Sequence, residues 1–215
     1  MANRKASRPI FARMYERACT RMDDAGLVEH RRRLLSGLTG RVIDVGAGNG
    51  GNFGHFPPSV IEVLAVEPEP HLRAAAERAA TGAAVPVTVV DGRAERLPAE
   101  DQAFDAVVMS LVLCSVPDVG AALAEVRRVL RPSGQLRFLE HVQAERPGAL
   151  RRVQHGLDAT IWPLVVGGCH TGRDTVAAIR AAGFEVAALD RFRFPQTQVP
   201  LPTAPHVLGT AVRPA

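Results

Sequence analysis

Asp44, Gly46, Gly48, Gly50, Gly51 and Glu67 are the residues whose types and spacing most directly suggest chemistry. The run RVIDVGAGNGG at 41–51 is apolar and rich in β-branched residues up to Val45, then breaks into glycines. A strand that ends this way lets the backbone pass close to a ligand, because no Cβ stands in the way. A helix opening near 50–55 would turn its free N–H groups toward that ligand. Glu67 ends the next apolar run, VIEVLAVE, where a carboxylate can accept both hydroxyls of a ribose. The predicted ligand carries an adenosine.

The glycines leave the ligand's identity open. Gly46-x-Gly48-x-x-Gly51 fits the dinucleotide fingerprint, and Gly46-x-Gly48-x-Gly50 fits the looser pattern of S-adenosylmethionine (SAM) methyltransferases. An acid at position 67 serves either.

The elements that must position these residues follow from hydrophobic periodicity. Residues 9–22 and 24–37 read as two amphipathic helices, the second ending at Gly37. Strands are predicted at 41–45, 61–67, 86–91, 104–110 and 135–142, with helices at 50–55, 71–80 and 118–131 and a turn at Pro132-Ser133-Gly134. Beyond them come a helical stretch of 146–165, a loop at 167–171, a helix at 173–182, and β-like runs at 185–194 and 206–213. Strands alternating with helices at this spacing predict an α/β fold built on a doubly wound parallel sheet.

The totals fit one soluble domain. The chain has 215 residues, 47% hydrophobic and 22% charged. No apolar run reaches the roughly 18 residues of a membrane span, and no apolar core follows the basic N-terminus, so neither stable membrane insertion nor a secretory signal is expected. Cys19, Cys114 and Cys169 are far apart and odd in number, which suits thiols in a reducing cytoplasm. Of 26 Lys and Arg residues only Lys5 is lysine, and the net charge is +4. That bias predicts solvated Arg-rich faces, Arg31-Arg32-Arg33 among them, and no nucleic-acid partner; one Tyr and one Trp leave little for bases to stack on. His30, His71, His155 and His206 show no ligand spacing, and no metal is expected.

Four segments resemble the class I SAM-dependent methyltransferases, small-molecule branch, including the ubiquinone/menaquinone C-methyltransferase type. They are VIDVGAGNGG, AVEP, AERLPAEDQAFDAVVMSLVLCSVPD and EVRRVLRPSGQLRFLEH, spanning roughly residues 38–142. LVLCSV, LEHVQAERP, GGCHTGRDT and AAGF further resemble a subgroup labelled phosphatidylethanolamine-methyltransferase-like. That subgroup is similar to mammalian methyltransferase-like thiol S-methyltransferases and to bacterial enzymes that methylate indole rings of tryptophan-derived cyclodipeptides. The hydrophobic anchor of the mammalian members is not found in this sequence, so a membrane location and a lipid substrate are not expected.

The resemblance implies a Rossmann-like seven-stranded sheet with an antiparallel last strand, and SAM as cofactor. It also implies one domain, with N-terminal capping helices at 1–38, a SAM-binding core at 39–142, a lid or acceptor segment at 143–172, and a C-terminal helix and strands at 173–215. Gly46, Gly48 and Gly50 would admit the methionine moiety, and Asp44 would orient the loop and the SAM amino group. Glu67 would take the ribose, Ala94 would border adenine, and Ser110 to Cys114 would lie beside the transferring methyl. Many members carry an acceptor Asp where this chain has Arg93, which cannot accept a hydrogen bond; Asp91, a backbone carbonyl or packing could substitute. Glu95 reads as a helix cap.

Methyl transfer from a sulfonium is an in-line displacement, and a base is needed only when the nucleophile must lose a proton. Candidate acceptor-side groups are His141 at the end of a strand, His170 in the GGCHTGR loop and Tyr15 on the first helix, with His55, Glu140 and Cys169 nearby in kind. The N-terminal helices, residues 146–171 and the Pro-rich 195–205 are expected to enclose an apolar small-molecule pocket, with Phe11, Met14, Trp162, Phe192 and Phe194 on its wall. The predicted reaction is methylation of an indole or related aromatic heterocycle of bacterial secondary metabolism. A small thiol is the next reading, and quinone or phenol methylation, an NAD-dependent oxidoreductase and a non-catalytic SAM-binding module are more distant ones.

Overall fold

The computed structural model describes residues 9–160, 162–197 and 201–215, with side chains from Glu16 onward. Seven strands form one sheet: β1 (Gly40–Val45), β2 (Val60–Val66), β3 (Val87–Val90), β4 (Phe104–Ser110), β5 (Leu130–His141), β6 (Glu185–Arg193) and β7 (Pro205–Val212). Their order is β3-β2-β1-β4-β5-β7-β6, and β7 alone runs antiparallel to its neighbours. The order turns back between β1 and β4, which places the carboxyl ends of those strands at the crevice where ligands bind in such sheets.

Both faces of the sheet are covered, as the period-2 burial of the strands requires. Ile43, Val107, Met109, Leu136 and Phe138 point to one side, against Leu123 and Val126 of α4 (Val119–Val129). Val176 and Ile179 of α7 (Thr175–Ala181) complete that layer. Val42, Val63, Ala65, Ala106 and Val108 point to the other side, against Leu34 and Leu35 of α2 (Val28–Leu35) and Ala76 of α3 (Pro70–Ala80). Helices α3, α4 and α7 start where Glu69, Asp118 and Asp174 accept backbone N–H groups of the first turn, which satisfies donors that would otherwise be orphaned.

Four predicted elements differ in detail. The predicted helix at 50–55 is only a 3₁₀ turn, Phe53–His55, because Pro57 and Pro58 end the segment before an α-helix can establish itself. The predicted helix at 24–37 begins with an irregular turn, since Gly26 sits at φ 105 and separates α1 (Pro9–Met22) from α2. The stretch 146–165 is divided into α5 (Ala149–Asp158) and α6 (Trp162–Val165). The expected turn at 132–134 is a bulge within β5: pairing with β4 jumps from Leu130 to Gln135, and Ser133 takes φ 62.

Candidate active site

At the carboxyl ends of β1, β2 and β4 lies a cavity of about 530 Å³. One end is built by the glycine loop, the 67–70 turn and the segment after β3. Gly46, Gly48, Glu67 and Ala94 all face it. Gly46 takes φ 68, and a Cβ there would meet Val112 Cγ2 at 2.6 Å, so a side chain would both strain the turn and push on the opposite wall. Gly50 lies off the wall, packed between Phe53 and Ala79, with φ 86; it shapes the turn.

Glu67 is the polar centre of this end. Its Oε2 accepts the Gly48 N–H at 2.9 Å and its Oε1 accepts the Glu69 N–H at 2.8 Å. Each oxygen keeps a second lone pair for a ribose hydroxyl. Burial pushes its carboxyl up to about 7, against the pull of the two backbone donors. Asp44 is buried beneath the loop, and both its oxygens lie 3.1 Å from Asn52 Nδ2. Burial pushes it up to about 7 as well, only partly offset by Asn52 and by the Arg31 charge. Asp44 therefore acts on the loop from below and does not face the cavity.

The adenine side departs from expectation. Asp91 is directed away from the cavity into an exposed ion pair with Arg73 at 3.0 Å. Glu95 caps no helix; it lines the cavity, and its Oε1 is buried without a hydrogen-bond partner. A buried acceptor with no donor is costly, and the residue that carries it stands on the cavity wall.

The other end is mostly apolar: Leu111, Val112, Val116, Pro163, Leu164 and the Gly167-Gly168 backbone. Ser115 and His170 supply the polar atoms there. His170 Nδ1 lies 2.7 Å from the Gly168 carbonyl oxygen, which can only accept, so Nδ1 carries the proton and the neutral ring keeps its lone pair at Nε2. The loop is fastened by His170 N–H donating to the Cys114 carbonyl at 2.8 Å.

Other expected site residues stand elsewhere. Ser110 is buried with Oγ 3.4 Å from Arg31 Nη1, off the cavity wall. His141 is buried behind the wall, with Nε2 3.1 Å from Cys169 Sγ, and does not line the cavity. Glu140 is wholly buried, its two oxygens accepting the N–H groups of Val112, Leu113 and Cys114; a carboxylate so engaged holds the post-β4 turn in shape. The Tyr15, Phe11 and Met14 side chains lie outside the described residues. Trp162, Phe192 and Phe194 are not on the wall; Phe192 stacks on His30 at 4.0 Å between centroids and also packs on His206. Among the described residues, 111–117 and, within the expected 146–171, residues 163–170 line the acceptor end of the cavity, and none of 16–38 or 195–205 does.

Arg31 and Asn52 escaped the sequence reading. Arg31 is not on a solvated face: it is 6% exposed and donates to Asn52 Oδ1 at 2.9 Å and Asp23 Oδ1 at 3.2 Å. The chain Asp23–Arg31–Asn52–Asp44 ties α2 to the glycine loop. The fold also gathers Cys114, His141 and Cys169, whose side-chain ligand atoms lie within 4.8 Å of one another. Their positions in sequence gave no sign of this.

Comparison with known proteins agrees with the geometry. Residues 43–138 match a family described as a methyltransferase domain. The human thiol S-methyltransferase TMT1B is 34% identical over 189 residues, covering 83% of this chain and 74% of its own. Human TMT1A is 32% identical over 200 residues, covering 87% and 80%. A solved SAM-dependent methyltransferase from Thermotoga maritima superposes with TM-score 0.68 at 23% identity, covering 94% of this chain and 96% of its own. The fold and cavity define a class I, SAM-dependent methyltransferase. The chain belongs to the small-molecule methyltransferase family that includes the TMT1A and TMT1B thiol S-methyltransferases.

Among the described residues no helix is long and apolar enough to cross a membrane.

Proposed function

We propose that the chain S-methylates a small, largely apolar thiol. The observation that carries this reading is the single cavity that joins a ribose-type carboxylate, Glu67, to an apolar chamber holding one imidazole, His170. The thiol relatives, TMT1B and TMT1A, support a thiol over the indole that the sequence alone put first.

The cavity fits SAM on its own features: a loop where a Cβ would collide, a carboxylate with spare lone pairs, and an unpartnered acceptor at Glu95. When bound, SAM supplies an electrophilic methyl group on a sulfonium sulfur. Glu67 would accept the ribose hydroxyls, and Gly46 and Gly48 would let the backbone approach the methionine part. The Glu95 carboxylate, on the cavity wall, would accept from the adenine amino group, the role Arg93 cannot fill. Asp44, through Asn52, would hold the loop, and Ala94 would pack beside adenine.

On the acceptor side, Leu111, Val112, Val116 and Pro163 would exclude water and hold the sulfur in line with the methyl. His170 Nε2 would take the thiol proton, leaving a thiolate, the more reactive nucleophile. His141 would act by shaping the wall from behind. The test is direct: the protein with SAM and a small aromatic or alkyl thiol should release the methyl thioether. Transfer to an indole with none to thiols would overturn the assignment.

A further inference from the structure

We propose that Cys114, His141 and Cys169 form a zinc site behind the acceptor wall. The three side chains come from the turn after β4, the end of β5 and the loop before α7, and all are buried. Their ligand atoms lie within 4.8 Å of one another. In a tetrahedral zinc site with Zn–S bonds of about 2.3 Å, neighbouring sulfurs stand about 3.8 Å apart, so small side-chain rotations close this cluster around an ion. Two thiolates with one imidazole are a donor set that suits zinc, with a fourth position left open.

Two observations separate this cluster from ordinary buried thiols. The His141 ring is buried, yet only Cys169 Sγ, at 3.1 Å from Nε2, contacts it by hydrogen bonding, and Nδ1 has no partner. A buried imidazole served by one weak sulfur partner is poorly satisfied, and an ion on Nε2 replaces that contact with a strong one. The donors are also held in place before any ion arrives. Glu140 accepts the Cys114 N–H at 3.2 Å, and Arg173 Nη1 donates to the Leu113 and Val116 carbonyls at 2.6 and 2.7 Å. The Cys169 N–H donates to the Val166 carbonyl at 3.0 Å. Preorganised donors on fixed elements are what a metal site requires.

The charges balance. Binding breaks two S–H bonds, sends both protons to solvent, and forms two Zn–S bonds and one Zn–N bond. The ion's two positive charges meet two thiolates, and the nearby Arg173 and Glu140 offset each other, so no net charge is buried. Ser115, whose Oγ is 3.3 Å from Cys114 Sγ, borders the cavity, as do Gly168 and His170 beside Cys169. The ion would thus tie together both halves of the acceptor wall.

The experiment is metal analysis of the full chain, prepared with zinc present, kept reduced with a phosphine and passed over a weak chelator. The expected result is about one zinc per chain. The Cys114→Ala/Cys169→Ala double variant should lose it while still binding SAM. Zinc retained equally by that variant, or none on the wild-type chain, overturns the proposal, as does a Cys114–Cys169 disulfide in the unreduced chain without zinc. Should the double variant not fold, cobalt(II) titration of the wild-type chain decides: intense thiolate-to-metal absorption is expected, and a weak, octahedral-type spectrum overturns the site.

Discussion

The Gly48 amide donates to the Glu67 carboxylate across 2.9 Å, tying the glycine loop after β1 to the end of β2. One carboxylate thus fixes the loop and, in the proposed site, would present its remaining lone pairs to the ligand. Glu67→Ala removes both functions. It should weaken SAM binding by about 1–3 kcal/mol, roughly ten- to a hundredfold, with the far-UV spectrum unchanged. Titration calorimetry checks this, and an unchanged affinity would remove Glu67 from the site.

The same carboxyl makes binding pH-dependent. Held up to about 7 by burial, it is largely protonated at pH 6 in the ligand-free protein. Ribose donors favour the ionised form, so binding should release protons and affinity should rise between about pH 6 and 8. Calorimetry in buffers of different ionisation enthalpy measures that release, and Glu67→Gln should reduce it. The sign for folding is opposite. An unfolded Glu titrates near 4.3, so the folded chain binds more protons between there and about 7, and this group's contribution to stability falls as pH rises through that window.

Glu95 gives a separate test on the adenine side. Glu95→Leu should cost SAM affinity about tenfold, whereas Glu95→Gln, which keeps an acceptor oxygen, should cost much less. Equal losses would argue that adenine is held by packing alone.

His170→Ala should lower thiol turnover tenfold or more at pH 7, with SAM affinity nearly unchanged. The deficit should shrink above about pH 8.5, where free thiols ionise without help. A deficit constant with pH would mean the imidazole shapes the wall without moving a proton.

Arg31→Met should lower stability by about 3 kcal/mol, since it leaves the Asn52 and Asp23 acceptors in a tight, partly buried network. Thermal unfolding should then begin some 6–12 °C lower. An unchanged midpoint would return Arg31 to the solvated face on which the sequence places it.

These residues also show what a sequence can convey. The loop end of the cavity was legible because Gly46, Gly48 and Glu67 lie at the ends of consecutive strands, where local pattern and topology agree. Arg31 was not, because Arg31, Arg32 and Arg33 look alike in sequence and only the packing of α2 on the loop buries one of them. The acceptor wall was legible only in part: residues 163–170, within the expected 146–171, close the chamber, whereas Leu34 and Leu35 of α2 and Phe192 and Phe194 pack against the sheet and His206. The cysteine–histidine cluster joins positions 27 and 28 residues apart (114 to 141 and 141 to 169), which no spacing rule reaches.

The most direct measurement of the central claim is mass spectrometry of a mixture of small thiols, indoles, phenols and quinones incubated with the protein and SAM. A gain of about 14 mass units on thiols alone, the change when methyl replaces hydrogen, is the predicted result. The same gain on indoles with thiols untouched would contradict the account.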